Sequence, residues 1–305
     1  MKIFVTGSTG LLGHQIVEAA VKAGHEVLAS YVNVPPHRGE PVRLDLCELR
    51  SIRPIITRLK PEVIIHTAAY TDVDGCEINR DKALKLNALA TQQIALGAQE
   101  INAYMIYVST DYVFDGQKGM YKEDDAPCPV NYYGYTKLEG ERHVLASSGS
   151  RCVIRTSALY GWGKKNNFAT WVLSKLSSGV TVKVVTDQHV SPTLNTNLAE
   201  MILEISEKNI AGILHAAGAD RISRYDFAVE LAKVFELNHK LIHPVSIDEM
   251  AWLAKRPRDS SLDISKCSSL LKSKALGVRE ALKAMKAQLQ QAGKGIFPYV
   301  GSGQF

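Results

Sequence analysis

No C-x-x-C pair occurs in the 305 residues, and the five cysteines (Cys47, Cys76, Cys128, Cys152 and Cys267) are scattered and odd in number. A zinc site has no support, no metal ligand set is expected, and free thiols in a reducing cytoplasm are the plain reading. Long apolar runs are missing as well. None approaches the ~18 residues that a membrane span needs, so no membrane partner is expected. Charge of one sign is scarce: the net charge is +5, and no basic block is dense enough to argue for nucleic acid. Repeats and low-complexity segments are absent. The chain opens on MKIFVTGSTG, a short strand running into glycines, so no secretory leader is expected.

What is present is an alternation. Strand-length apolar runs (KIFVT, EVLAS, EVIIHTA, AYMIYVS) alternate with helix-period stretches (LLGHQIVEAAVKA, LRSIRPIITRL, DKALKLNALATQQIALGAQE). Such alternation implies right-handed crossovers and a doubly wound parallel sheet, and runs such as VIIH and MIYV suit strands buried on both faces. From about residue 157 the rhythm changes to longer loops and helices such as YDFAVELAKVFE. The predicted organisation is α/β. A Rossmann-like NAD(P)-binding domain spans 1–156, with later segments extending its sheet. A smaller mixed lobe spans 157–290, and 291–305 form a loose tail.

The first strand runs directly into GSTGLLG, with Gly7, Gly10 and Gly13 before a helix. A strand–glycine turn–helix holds a dinucleotide pyrophosphate: glycine permits the tight turn and the close approach, and the helix N-terminus favours the anion. Ser8 and Thr9 separate the first two glycines, giving G-x-x-G-x-x-G. The plain alternative is a glycine turn without a ligand.

A second signal is NYYGYTK, residues 131–137, with three tyrosines and one lysine. Pro127 and Pro129 hold the preceding chain off helix geometry, so a helix is expected from about Tyr132. Only partners three or four residues apart share a helix face, which selects Tyr133 with Lys137 over Tyr132 and Tyr135. An ammonium ~5 Å from a phenol, at an effective dielectric of ~20, favours phenolate by roughly 3 kcal/mol, about two pKa units, while desolvation opposes it.

The glycine variant and Tyr-x-x-x-Lys together match the extended short-chain dehydrogenase/reductases. The runs HTAAYTDVDGCE, VSTDYVFDG, VNYYGYTKLEGE, IRTSALYG, TDQHVSPT and RPRDSSLD occur in this order. With them the chain resembles the dTDP-4-dehydrorhamnose reductase family from residue 1 to about 290. The resemblance implies NADPH, or NADH, as cofactor and a nucleotide sugar as substrate, and it leaves a homodimer open. It implies that Gly7, Gly10, Leu11, Leu12 and Gly13 cradle the pyrophosphate and that Asp45 and Leu46 meet the adenine. Ala69, Tyr70, Thr71 and Val108 would lie near the cofactor, with Tyr133 and Lys137. Thr110 would polarise the sugar carbonyl as a catalytic residue with Tyr133 and Lys137. Thr110, Asp111, Asn167, Gln188 and Arg256 would face the substrate. Asn87 reads as a buried amide satisfying backbone groups.

Two positions depart from the family pattern. Tyr31 stands where an acidic residue would grip the ribose 2′-hydroxyl, and Arg38 and Arg43 are candidates to pair a 2′-phosphate. Ala158 stands where family members often carry a sugar-facing tryptophan, with Trp162 as a candidate replacement. The same family includes the NADP-binding regulatory β subunit of methionine adenosyltransferase, so a regulatory module is the rival expectation. Retention of Thr110 and Asp111 favours the enzyme.

Overall fold

The computed structural model describes residues 1–291. Its centre is a seven-stranded, all-parallel sheet: β1 Lys2–Thr6, β2 Glu26–Tyr31, β3 Glu40–Arg43, β4 Val63–His66, β5 Tyr104–Thr110, β6 Arg151–Thr156 and β7 Gly212–His215. Spatially the order is β7-β6-β5-β4-β1-β2-β3. The order reverses between β1 and β4, and ligands of open parallel sheets bind at such a switch point, outside the carboxyl ends of the strands.

Alternation along each strand splits the sheet's core in two. Ile3, Val5, Val63 and Ile65 pack on one face, while Phe4 and Ile64 pack on the other. The first face is covered by α1 (Gly13–Lys22) and by the later helix Asn195–Glu207, through residues such as Ile16, Val17, Leu198 and Ile202. Helix α2 (Leu49–Leu59) and α3 (Ala90–Glu100) cover the second face with Ile52, Ile56 and Ile94. The expected doubly wound α/β sheet is present.

The stretch expected as one helix over DKAL to AQE is interrupted. An α-turn over Arg80–Leu84 passes into a π-helical turn at Lys85–Leu89 before α3 continues. That wider turn carries Asn87, whose amide accepts from the Tyr70 N–H (2.8 Å) and donates to the Tyr70 carbonyl (3.0 Å) and to Thr136 Oγ1 (3.0 Å). The side chain closes both backbone groups of Tyr70, as a buried amide should.

Helix α4 (Tyr132–Ala146) begins where expected. Asn131 caps it, its side-chain oxygen accepting from the Gly134 N–H at 2.8 Å. A separate cluster in the second half gathers Tyr160, Leu173, Val182, Phe227, Leu231, Leu282 and Met285. It draws on helices Phe168–Ser177, Arg224–Val234 and Val278–Gln291 and on the parallel strand pair Val182–Val185 and Ile242–Val245. The tail expected over 291–305 lies, from residue 292 on, outside the described residues.

Candidate active site

The glycine turn is built as its chemistry requires. Gly7 has φ +69°, and a Cβ there would meet Ala68 Cα at 2.9 Å. A Cβ on Gly13 would lie 2.2 Å from the Gly7 carbonyl oxygen, so the helix start is pressed against the turn. Leu12 is buried in the core, and the Leu11 carbonyl accepts from Asn195 Nδ2 at 3.1 Å. Ala69, Tyr70 and Thr71 follow β4, and Asp45 and Leu46 follow β3, all at the same carboxyl end of the sheet. Asp45 turns the chain by accepting from the Cys47 N–H, and Leu46 is buried against the second face. The close backbone approach of the glycine turn to the start of α1 fits a dinucleotide pyrophosphate.

At the end of β2, Tyr31 sits in register with Arg43 of β3. Arg38 is instead drawn to Glu18 of α1, 3.2 Å away.

Tyr133 and Lys137 lie one turn apart on the inner side of α4, while Tyr135 points outward and is 41% exposed. Lys137 is buried; its ammonium donates to the Val108 carbonyl at 2.8 Å and lies 4.1 Å from the Tyr107 ring centroid. Burial pulls its pKa down to about 7, and Glu141 pulls the other way.

The expected drop in the Tyr133 pKa is not what the structure gives. Enclosure of the hydroxyl pushes it above the ordinary tyrosine value, a hydrogen bond with Thr110 pulls it down, and Asp111 pushes it up. Lys137 spends its ammonium on Val108, and desolvation wins. A phenol held neutral is the correct protonation state for a group that gives a proton away.

Thr110 ends β5. Its Oγ1 donates to Asp111 Oδ1 at 3.1 Å and accepts from the Tyr112 N–H at 3.2 Å. Asp111 is 2% exposed, and Ser157 Oγ (2.8 Å) and Ser260 Oγ both donate to its Oδ2. Three hydroxyls therefore surround one carboxylate, whose pKa is nevertheless raised because burial outweighs them.

The other expected substrate residues divide. Asn167 forms a capping box with Thr170 and donates to the Gly161 carbonyl at 2.8 Å, so both ends of its amide are committed within the lobe. Gln188 is buried, within 3.4 Å of the Tyr112 hydroxyl and 3.3 Å of the Pro257 carbonyl. Arg256 pairs with Asp74 at 2.9 Å, and its guanidinium lies 5.2 Å from the Trp252 ring centroid.

Trp162 is not the replacement platform. Its indole N–H donates to the Met285 carbonyl at 2.8 Å, and its ring packs against Phe235 in the lobe's core. Ala158 adopts φ +43°, left-handed backbone that bulky residues rarely take.

A cleft of about 810 Å³ is lined by Asp115 and Gly116, by Asp187 and His189, and by residues of the segment from Ile247 to Asp259. Trp252, Lys255, Arg256 and Arg258 line it. Its size suits a small organic molecule, and its arginines are paired with carboxylates: Arg256 with Asp74, Arg258 with Asp187 and Asp248, and Arg221 with Asp259. Tyr133 and Thr110 are not among the lining residues. Trp252 and Arg258 were not singled out by sequence reasoning; RPRDSSLD was the available signal for Arg258, and nothing local marks Trp252. Among the described residues, no group of three His, Cys, Asp or Glu side chains could hold a metal ion, and no helix is long and apolar enough to cross a membrane.

Residues 1–291 match the family described as the RmlD substrate binding domain. A dTDP-4-dehydrorhamnose reductase of Aggregatibacter actinomycetemcomitans is 35% identical over 301 residues, covering 94% of this chain and 98% of that protein. The methionine adenosyltransferase 2 subunit beta of Xenopus tropicalis is 32% identical over 293 residues, covering 92% of this chain and 87% of that protein. Among solved structures, dTDP-4-dehydrorhamnose reductase from Bacillus anthracis str. Ames in complex with NADP superposes with a TM-score of 0.84 at 29% identity. That match covers 94% of this chain and all of the other.

Proposed function

The chain belongs to the RmlD substrate binding domain family, that of the dTDP-4-dehydrorhamnose reductases, and from this premise we propose that it reduces the 4-keto group of a dTDP-linked deoxysugar with NADPH. It acts as an NAD(P)H-dependent oxidoreductase on a nucleotide sugar. The reaction proposed is conversion of dTDP-4-dehydrorhamnose to dTDP-L-rhamnose. In this reading residues 1–156, with the later sheet segments, hold the cofactor, and 157–290 grip the sugar nucleotide.

The observation that carries the proposal is the meeting of Tyr133, Lys137 and Thr110 at the carboxyl end of β5, beside the glycine turn's end of the sheet. When bound, the nicotinamide supplies the hydride. The chain's own residues do the rest. Tyr133, neutral and enclosed, gives its proton to the oxygen as negative charge develops there. Thr110 turns its hydroxyl from Asp111 toward that oxygen, and Asp111, fixed by Ser157 and Ser260, keeps the threonine in place. Lys137 fills the gap between α4 and Val108, from which it can reach a ribose hydroxyl.

Following NADPH absorbance with dTDP-4-dehydrorhamnose, and in parallel with UDP- and GDP-linked ketosugars, tests the reading. Turnover with the dTDP sugar, lost in Thr110→Val with little change in NADPH affinity, is the expected outcome. The second reading, a regulatory subunit, is favoured by the similarity to the methionine adenosyltransferase subunit. It is the outcome in which NADPH binds, no ketosugar is reduced, and Thr110→Val is silent.

A further inference from the structure

Behind Tyr133 and Lys137 lies a charged pair that proton transfer does not itself use. Glu141 is one turn beyond Lys137 on α4, and Arg155 is on β6; they are 1% and 2% exposed. Arg155 Nε donates to both carboxylate oxygens (3.0 and 3.2 Å), Nη2 donates at 2.8 Å, and Ser109 Oγ donates as well. Ser109 stands between Val108, whose carbonyl receives Lys137, and Thr110. Glu141 therefore ties the helix face bearing Tyr133 and Lys137 to the strand bearing Val108 and Thr110.

A buried ion pair is weak evidence for stability, because apolar residues of equal volume are often as good. Its position offers a better reason. Lys137 faces Tyr133 and Glu141 on its own helix, the Tyr107 ring from β5, and His66 of β4, which stacks on Tyr107 at 5.4 Å. Burial and Lys137 hold His66 neutral, with a pKa of about 3. Asp111 lies beyond Thr110, Cys76 near Tyr133, and Arg155 behind Glu141. Glu141 is the carboxylate that favours the charged lysine against burial.

We propose that Glu141 is a positioning residue for Lys137: its carboxylate, held by Arg155 and Ser109, keeps the buried lysine an ammonium and aligned for the ribose. The role rests on the reading of Lys137 as the residue beside the cofactor, and does not require that the sugar be a particular one.

The test is the pH dependence of NADPH affinity from pH 4.5 to 9, by titrating NADPH fluorescence, in wild type, Glu141→Gln and Glu141→Gln/Arg155→Gln. Affinity in wild type should fall as Lys137 loses its proton. In Glu141→Gln the fall should move to lower pH by about one to two units, as expected for charges roughly 7 Å apart at an effective dielectric of ~20. The double variant, which strands no arginine charge, should shift in the same direction by less. Glu141→Asp should restore the wild-type midpoint. A midpoint unchanged or raised in a folded variant overturns the proposal. So does loss of fold in both glutamine variants while Lys137→Met folds, since Glu141 would then be a fold element only. Failure of wild type to reduce any ketosugar leaves the affinity measurement intact, so the two readings fail separately.

Discussion

Replacing Tyr133 with phenylalanine removes one oxygen and leaves the ring. The ring's edge-on contact with Tyr112 (centroids 5.9 Å apart) survives, and the interaction lost is the one with Thr110. One such hydrogen bond is worth about 0.5–1.5 kcal/mol, which in a chain of this size lowers the melting temperature by only a few degrees. The catalytic effect is of another order. A general acid contributes about 10²–10⁴-fold, or roughly 3–5 kcal/mol of barrier, so turnover at 25 °C should fall by at least two decades in a folded protein. Tyr135→Phe is the control from the same helix turn: its ring is 41% exposed and tilts over Tyr132 at 5.5 Å, away from Lys137. It should stay within a few-fold of wild type. The assay is initial-rate NADPH oxidation with the dTDP ketosugar, beside a thermal melt of each variant. Equal losses in the two variants, or a Tyr133→Phe enzyme retaining more than about a tenth of its turnover, would refute the assignment of the proton to Tyr133.

Three further outcomes are expected. Gly13→Ala would place a Cβ 2.2 Å from the Gly7 carbonyl oxygen, and backbone cannot give way cheaply; NADPH affinity should drop by about tenfold or more, read by fluorescence titration. Tyr31→Asp puts a carboxylate at the end of β2 beside Arg43, and like-charge repulsion of a 2′-phosphate should shift preference toward NADH by about tenfold, measured as the ratio of the two dissociation constants. Burial, then the charge of Arg155, lowers the His215 pKa to about 4, below its unfolded value. The stability that neutral His215 allows is thus complete above pH ~6.5 and lost as pH falls toward 4, by up to about 3 kcal/mol, and His215→Gln should flatten that slope in pH-dependent melts.

Features with a local cause were the legible ones. The start of α4 could be placed because Pro127 and Pro129 precede it and Asn131 caps it. The glycine turn followed from three glycines between a strand and a helix. Local periodicity carries no signal for pairings across long separations, and those account for the rest. Asp111 meets Ser157 and Ser260 from 46 and 149 residues away, and the Trp162 indole finds Met285 at a separation of 123. Asn167 was placed at the substrate by family resemblance alone, and its structural work as a helix cap lies in a pairing with Thr170 three residues on. The π-turn at Lys85–Leu89 follows from Asn87 reaching Tyr70, a demand set by another loop.

The sheet is completed late, and this matters while the protein is being made. Strand β7, residues 212–215, pairs with β6, and the helix Asn195–Glu207 covers the face presented by Ile3, Val5, Ile65 and Ile154. A nascent chain that has reached residue 156 holds six of the strands and α1, but leaves the part of that face covered by the later helix open to water. At about 5–20 residues per second, the roughly 60 residues still required take about 3–12 s to arrive. For that interval the half-built sheet is a client for chaperones and a target for self-association. A fragment ending at 156 would remain there permanently, so the first six strands are not a unit that can be excised from the gene.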